Sequence, residues 1–252
     1  MADGRGVLRF DGVQRAAHWL TAILFGILIA TAFPLYFASV ESLVGRHVLV
    51  LRIHVAAGIA LPFPVVVSLL GPWGARMRAD LGRFNRWSEP ELRWLRSLGT
   101  RRMPRADKFN PGQKLFAVFV GGSIAVMFGT GVVMAWFDLF PVSWRVGATV
   151  VHEVLAWLVS LAILGHIAMV ATHPGSMRSM LNGRVSETWA RRHCPSWLED
   201  QLGAPGEEEF LKGRAGARRV SWRAAERSHG KPDSSTTNSR SGRSGIPNRS
   251  SP

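Results

Sequence analysis

The sequence predicts an all-α integral membrane protein: a four-helix bundle followed by a disordered basic C-terminal tail. Three observations predict this class. Of 252 residues, 47% are hydrophobic, yet the mean hydropathy is only +0.09, so apolar blocks alternate with strongly polar ones. Four windows, 16–37, 48–70, 115–136 and 146–172, are long and apolar enough to cross a bilayer. The net charge of +14 gathers between and after those windows, which is the pattern of a polytopic membrane protein and not of a soluble core. A single cysteine, Cys194, excludes an internal disulfide framework, a cysteine zinc site, an iron–sulfur cluster and a CxxCH site for covalent haem on this chain.

The first span is expected to be retained and not cleaved as a secretion signal. It is too long, three comparable segments follow closely, and Phe37-Ala-Ser-Val is no small-residue cleavage site. Orientation follows from the basic residues. The 71–114 connection carries Arg76, Arg78, Arg83, Arg86, Arg93, Arg96, Arg101, Arg102, Arg105, Lys108 and Lys114, and the N-terminal arm carries Arg5, Arg9 and Arg15. The loops near Glu41 and Asp138 hold only Arg46 and Arg145. Positive loops stay inside, so both termini and the long connection are expected on the cytoplasmic face. Trp19, Tyr36, Trp136 and Trp144 fall near span ends, where aromatic rings favour the interface.

Within the connection, residues 89–98 form an amphipathic stretch that suits either the membrane surface or a short helix packed on the bundle. After the fourth span come His173-Pro174-Gly175 and an amphipathic cytoplasmic segment to residue 200. Domain 1–200 therefore holds the bundle. From 201 onward glycine, serine, arginine and asparagine dominate, and a tail this poor in apolar residues is expected to stay disordered. The basic charge is read as topology and tail composition, and no nucleic-acid partner is expected.

Ionisable residues inside spans are costly, so each is a functional hypothesis. His18, His54, His152 and His166 all lie within the windows. With alternating span directions, His18 and His166 fall at matching depth near the inner face, and His54 and His152 near the outer face. His152 and His166 are fourteen residues apart, roughly 21 Å along a helix and nearly on one side of it. Two imidazoles facing each other across a bundle suit six-coordinate haem, so two pairs predict two b-type haems with these histidines as iron ligands. Gly26, Gly58, Gly129 and Gly131 lie on the same spans and would make room, although glycine is common in membrane helices generally. His173 competes with His166, but its 21-residue distance from His152 covers roughly 31 Å, the full hydrocarbon thickness. Two rival classes share these histidines: a haem-free membrane anchor and a His-relay transporter of protons or metal. A metal transporter would bring intramembrane carboxylates, and Glu153 alone lies clearly within a span.

Several runs resemble the cytochrome b (gamma) subunit of membrane-bound formate dehydrogenase. They are Arg15-Ala-Ala-His18-Trp, Arg52-Ile-His54, Lys108-Phe-Asn-Pro-Gly-Gln-Lys114, His152-Glu153, Gly165-His166, Gly175-Ser-Met-Arg178, Asn182-Gly-Arg-Val-Ser186 and Trp189-Ala-Arg-Arg-His193. The resemblance covers residues 9–200 and implies a four-helix cytochrome with two haems b in the same pairing. It also implies a quinone site, for menaquinone or ubiquinone, beside the inner haem, formed with Asn110, Gly112 and Gln113. Proline stands at the variable position of that run, and Asn110-Pro111 also reads as an ordinary helix start.

The resemblance further implies a bacterial inner membrane location and two partners, an iron–sulfur (beta) subunit and a catalytic (alpha) subunit that oxidises formate outside. Electrons would enter at the outer haem and reach quinone at the cytoplasmic face; formate oxidation would not take place on this chain. Cytochromes of hydrogenases and thiosulfate reductases share the same plan and stand as alternative assignments. Arg15 and Arg52 are placed to meet haem propionates.

Overall fold

The computed structural model describes residues 6–203 except 101 and 103. The tail predicted to be disordered lies, beyond 203, outside the described residues. Secondary structure is overwhelmingly helical, and it begins with a short strand, β1 (Gly6–Leu8), followed by the first span, α1 (Gly12–Tyr36). This span starts four residues earlier than hydropathy predicts. Asp11 and Gln14 form a reciprocal capping box: the Gln14 N–H donates to Asp11 Oδ1 at 2.8 Å, and the Asp11 N–H to Gln14 Oε1 at 3.0 Å. A polar first turn is invisible to a hydropathy window.

On the far side, where a loop is expected near Glu41, the chain turns through a short helix, α2 (Ala38–Val44). The second span is two pieces, α3 (His47–Ala60) and α4 (Phe63–Leu69). Pro62 and Pro64 have no N–H to donate, so the helical ladder breaks where they enter it. The long connection folds into α5 (Ala75–Phe84) and α6 (Glu89–Arg96). Of the two placements expected for 89–98, contact with the bundle is what the structure shows, because Glu91 of α6 pairs with Lys114 at the start of the third span.

That third span, α7 (Pro111–Ala135), also starts early, at a second capping box made by Asn110 and Gln113. The fourth, α8 (Val142–Thr172), is 31 residues long, about 46 Å at 1.5 Å per residue. This exceeds a hydrocarbon core of about 30 Å, so α8 must tilt or project from it. Helix α1 packs on α3 and α4, α7 on α8, and α3 on α7. Outward side chains such as Ile23, Val48, Leu161 and Leu164 are exposed, as lipid-facing positions are without cost in a bilayer.

The rest of the described chain is α9 (Pro174–Asn182), β2 (Arg184–Ser186), α10 (Glu187–His193) and α11 (Pro195–Leu202). Strand β2 pairs antiparallel with β1, Val7 opposite Val185, so an otherwise all-α fold carries one two-stranded ribbon. The ribbon places the N-terminal arm and the segment after α8 on one side of the spans, here the terminal side. The best-packed hydrophobic core lies there too: Val185, Ala190, Cys194, Trp197 and Leu198, with Val7 and Trp189 against them. Cys194 is wholly buried in it. Gly183 closes the clip. It sits at φ +79°, its carbonyl accepts from the Arg9 and Phe10 N–H groups, and a Cβ there would lie 2.5 Å from the Phe10 carbonyl oxygen.

Candidate functional site: opposed histidines within the spans

The structure brings the four membrane histidines together two by two. His18 of α1 faces His166 of α8, with ring centroids 6.4 Å apart and ring planes at 67°. His54 of α3 and His152 of α8 are electrostatic neighbours nearer the opposite side. Two imidazoles whose nitrogens lie about 2.0 Å from a shared metal, with roughly 1.1 Å from ring nitrogen to ring centre, would have their centroids about 6.2 Å apart. The observed 6.4 Å lies close to that span, so the residues fit the group. Among the described residues no three of histidine, cysteine, aspartate and glutamate gather as a metal cluster. Two-ligand sites have that look when a macrocycle supplies the remaining donors.

The surroundings of the two pairs differ. Thr31 Oγ1 of α1 lies 2.9 Å from His54 Nδ1, and Thr130 Oγ1 of α7 lies 2.9 Å from His152 Nδ1. Gly131 also gives the second pair room, since a Cβ there would come 3.5 Å from His152 Cε1. On the terminal side the contacts are aromatic. His166 stacks on Phe116 of α7 at 4.8 Å and 10°, and His18 meets Trp19 edge-on at 5.4 Å. His173 stands apart as the C-terminal cap of α8, exposed, with its Nδ1 2.9 Å from the Met169 carbonyl oxygen.

Asn110, Gly112 and Gln113 occupy the first turn of α7, one turn before Phe116 and so next to the His18–His166 pair. The Gln113 N–H donates to Asn110 Oδ1 at 2.9 Å, and the Asn110 N–H donates to Gln113 Oε1 at 3.1 Å. Each amide oxygen is thus used by the cap, which leaves the side-chain NH2 groups as the donors. Gln113 is exposed and Pro111 buried.

Beside this turn lie charges whose roles the sequence does not reveal. Lys108 and Lys114 count among the basic residues that fix topology, yet both are buried in ion pairs. Lys114 Nζ is 2.7 Å from Glu91 Oε1, with side-chain exposures of 3% and 6%. Lys108 pairs with Asp80, both 4% exposed. Asp80 also accepts from Gln14 Nε2 at 2.6 Å and contacts Arg83, so it joins α1, α5 and the segment before α7. Arg9 donates to the Lys108 carbonyl at 3.0 Å and lies over the Phe10 and Trp189 rings.

Burial pushes the Lys108 amine down from its ordinary range, with Asp80 opposing the shift. The Cys194 thiol is pushed up by burial, with Arg9 opposing. For Glu91, burial works against ionisation, but hydrogen bonds from Lys114 and Ser88 outweigh it and hold the carboxyl below its usual value. Arg15, three residues before His18, donates to the Leu181 carbonyl, and its buried Nε–H has no partner among the described residues. Arg52 is exposed on α3.

A helical membrane bundle with histidines opposed in pairs across its core defines the class of b-type cytochromes. Comparison with known proteins agrees. Residues 9–183 match the family described as prokaryotic cytochrome b561, and the chain belongs to that family, which implies haem b as its prosthetic group. The resemblance to formate dehydrogenase cytochromes recurs among curated relatives. The formate dehydrogenase cytochrome b556 subunit of Haemophilus influenzae is 24% identical over 219 residues, 83% of this chain and 90% of that protein. The nitrate-inducible formate dehydrogenase cytochrome b556(Fdn) subunit of Escherichia coli is 24% identical over 225 residues, 84% of this chain and 100% of that one. A second Escherichia coli relative, the formate dehydrogenase cytochrome b556(fdo) subunit, is 20% identical over 207 residues, 77% and 92% of the two chains.

Proposed function

We propose that this chain is the di-haem cytochrome b subunit of a respiratory formate dehydrogenase complex in a bacterial inner membrane. It carries electrons from an iron–sulfur subunit on the periplasmic side to a quinone on the terminal side, which faces the cytoplasm. The observation that carries this reading is the opposition of His18 and His166, whose ring centroids are 6.4 Å apart, close to what two imidazoles on one iron would have. A second histidine pair lies toward the far side, and the named relatives are formate dehydrogenase cytochromes. When bound, haem b supplies reversible one-electron redox chemistry.

The chain's own residues hold, orient and insulate. His18 with His166, and His54 with His152, would hold the haems through their ring nitrogens, and the apolar helix faces would exclude water between them. The buried Arg15 Nε–H is placed to take a propionate of the haem on the terminal side. Asn110 and Gln113 present amide N–H donors to the carbonyl oxygens of a quinone. The Gly112 position, where a Cβ would come 3.4 Å from Asn110 Oδ1, keeps that approach uncrowded. Formate itself is oxidised on the catalytic partner, since this chain holds no ligand set for a metal–pterin or iron–sulfur centre.

The test is the haem content of the purified protein. Two haems b per chain, with a sharp dithionite-reduced band, are expected. His54→Ala and His152→Ala should each leave one. A correctly inserted but colourless preparation overturns the reading, and two haems in His54→Ala overturn the pairing. Gln113→Ala should lose quinone reduction while haem content holds; unchanged turnover would remove Gln113 from the quinone site.

A further inference from the structure

The outer histidine pair carries a device that the inner pair lacks. Thr31 Oγ1 lies 2.7 Å from the Ile27 carbonyl oxygen and 3.1 Å from that of Leu28. Thr130 Oγ1 lies 2.8 Å from the Val126 carbonyl and 3.2 Å from that of Met127. A carbonyl only accepts, and a threonine hydroxyl has a single proton. That proton is therefore given to the preceding turn of the threonine's own helix. What remains for the imidazole 2.9 Å away is a lone pair, so the proton in that contact belongs to Nδ1 of His54 and of His152. Nε2 is then left as the unprotonated nitrogen, the form a metal takes. The same construction occurs twice, on different helices, one for each histidine of the pair.

His18 and His166 have no hydrogen bond to either ring nitrogen among the described residues; their neighbours are Trp19 and Phe116. An imidazole whose distal N–H is accepted by an oxygen is the more basic ligand, and a more basic ligand favours the oxidised metal. We infer that Thr31 and Thr130 are positioning residues. With the Leu28 and Met127 carbonyls, which also accept from these rings, they fix the ligating tautomer of the outer pair, and they hold its centre at a lower reduction potential than the inner one, so electrons run downhill toward the quinone side. This inference rests on the di-haem reading above.

The experiment is an optical redox titration of the purified full-length chain in detergent. Two one-electron waves are expected, and in His152→Ala only the higher one remains. In the double variant Thr31→Val with Thr130→Val, the lower wave should move to more positive potential. The expected size is on the order of tenfold in the oxidised-to-reduced ratio at a fixed poise, about 59 mV for one electron. The upper wave should stay in place, and the double Thr→Ser variant, which keeps both hydroxyls, should restore the lower wave. If the double valine variant fails to hold haem, the single variants decide, each moving the lower wave upward by part of the full shift. A lower wave unmoved in valine variants that retain two haems overturns the inference and leaves the di-haem reading standing. A wild-type chain without haem overturns the di-haem reading itself.

Discussion

A histidine in hydrocarbon stands out because its neighbours are apolar and its polar nitrogens need partners. That contrast made His18, His54, His152 and His166 legible in the sequence, and the alternating direction of the spans sorted them by depth into pairs. Thr31 and Thr130 were not legible in the same way. A threonine in a span ordinarily returns its hydroxyl to its own helix, so nothing along the chain marks the two that also meet an imidazole. Gln113 and Asn110 fall between these cases, since their run reads equally as a helix cap and as a binding turn. The structure shows the cap made with both oxygens. Asn110→Ala should therefore cost about 1 kcal/mol of stability through the lost cap, read as a lower melting temperature. Gly175→Ala should also destabilise, because its Cβ would fall 2.3 Å from Trp189 Nε1. Trp189 must then shift away from the stack it makes with His193 at 4.4 Å, which tryptophan fluorescence would report.

At the level of elements, hydropathy located all four spans but placed the starts of α1 and α7 four residues late. The error has a physical source: capping boxes put polar residues inside the first helical turn. Hydropathy also hid the break between α3 and α4, because proline leaves an apolar window apolar. For α6 the sequence offered two placements, and the deciding contact joins Glu91 to a lysine twenty-three positions away. Removing one partner of a buried pair leaves the other charge unpaired, so Glu91→Gln should cost about 3 kcal/mol. The pH dependence has a definite sign. A carboxyl held below its ordinary value contributes stability that is fully present above that value, 4.5 here, and lost as pH falls through its lower folded value. Thermal melts should be flat through neutral pH and fall in the acid range below 4.5, and Glu91→Gln should weaken that acid dependence.

Across the whole molecule, the positive-inside pattern conceals a second use of charge. Lys108 and Lys114 count toward topology in the sequence, yet in the fold they are interior struts. Charge alone cannot separate the two uses, because the partners Asp80 and Glu91 lie twenty-eight and twenty-three residues away. Asp80 ties α1, α5 and the approach to α7 together, directly below the turn proposed to meet quinone. Asp80→Asn should leave Lys108 buried without its counter-charge and destabilise the protein by about 3–5 kcal/mol. Lowered thermal stability with haem still bound would place the damage in this layer and not in the spans. A protein with unchanged stability would show that the layer contributes little.

The pairing of β1 with β2 bears on how the chain matures. Gly6–Leu8 is synthesised before the four spans, yet its hydrogen-bonding partner, Arg184–Ser186, is made only after them. Until then the leading strand has an open edge. The Gly183 clip cannot close, and Val7 has no core to pack against. The ribbon therefore acts as a completion latch, and a product truncated before residue 184 would reach the bilayer with its spans in place and its seal missing, a recognisable substrate for membrane proteases.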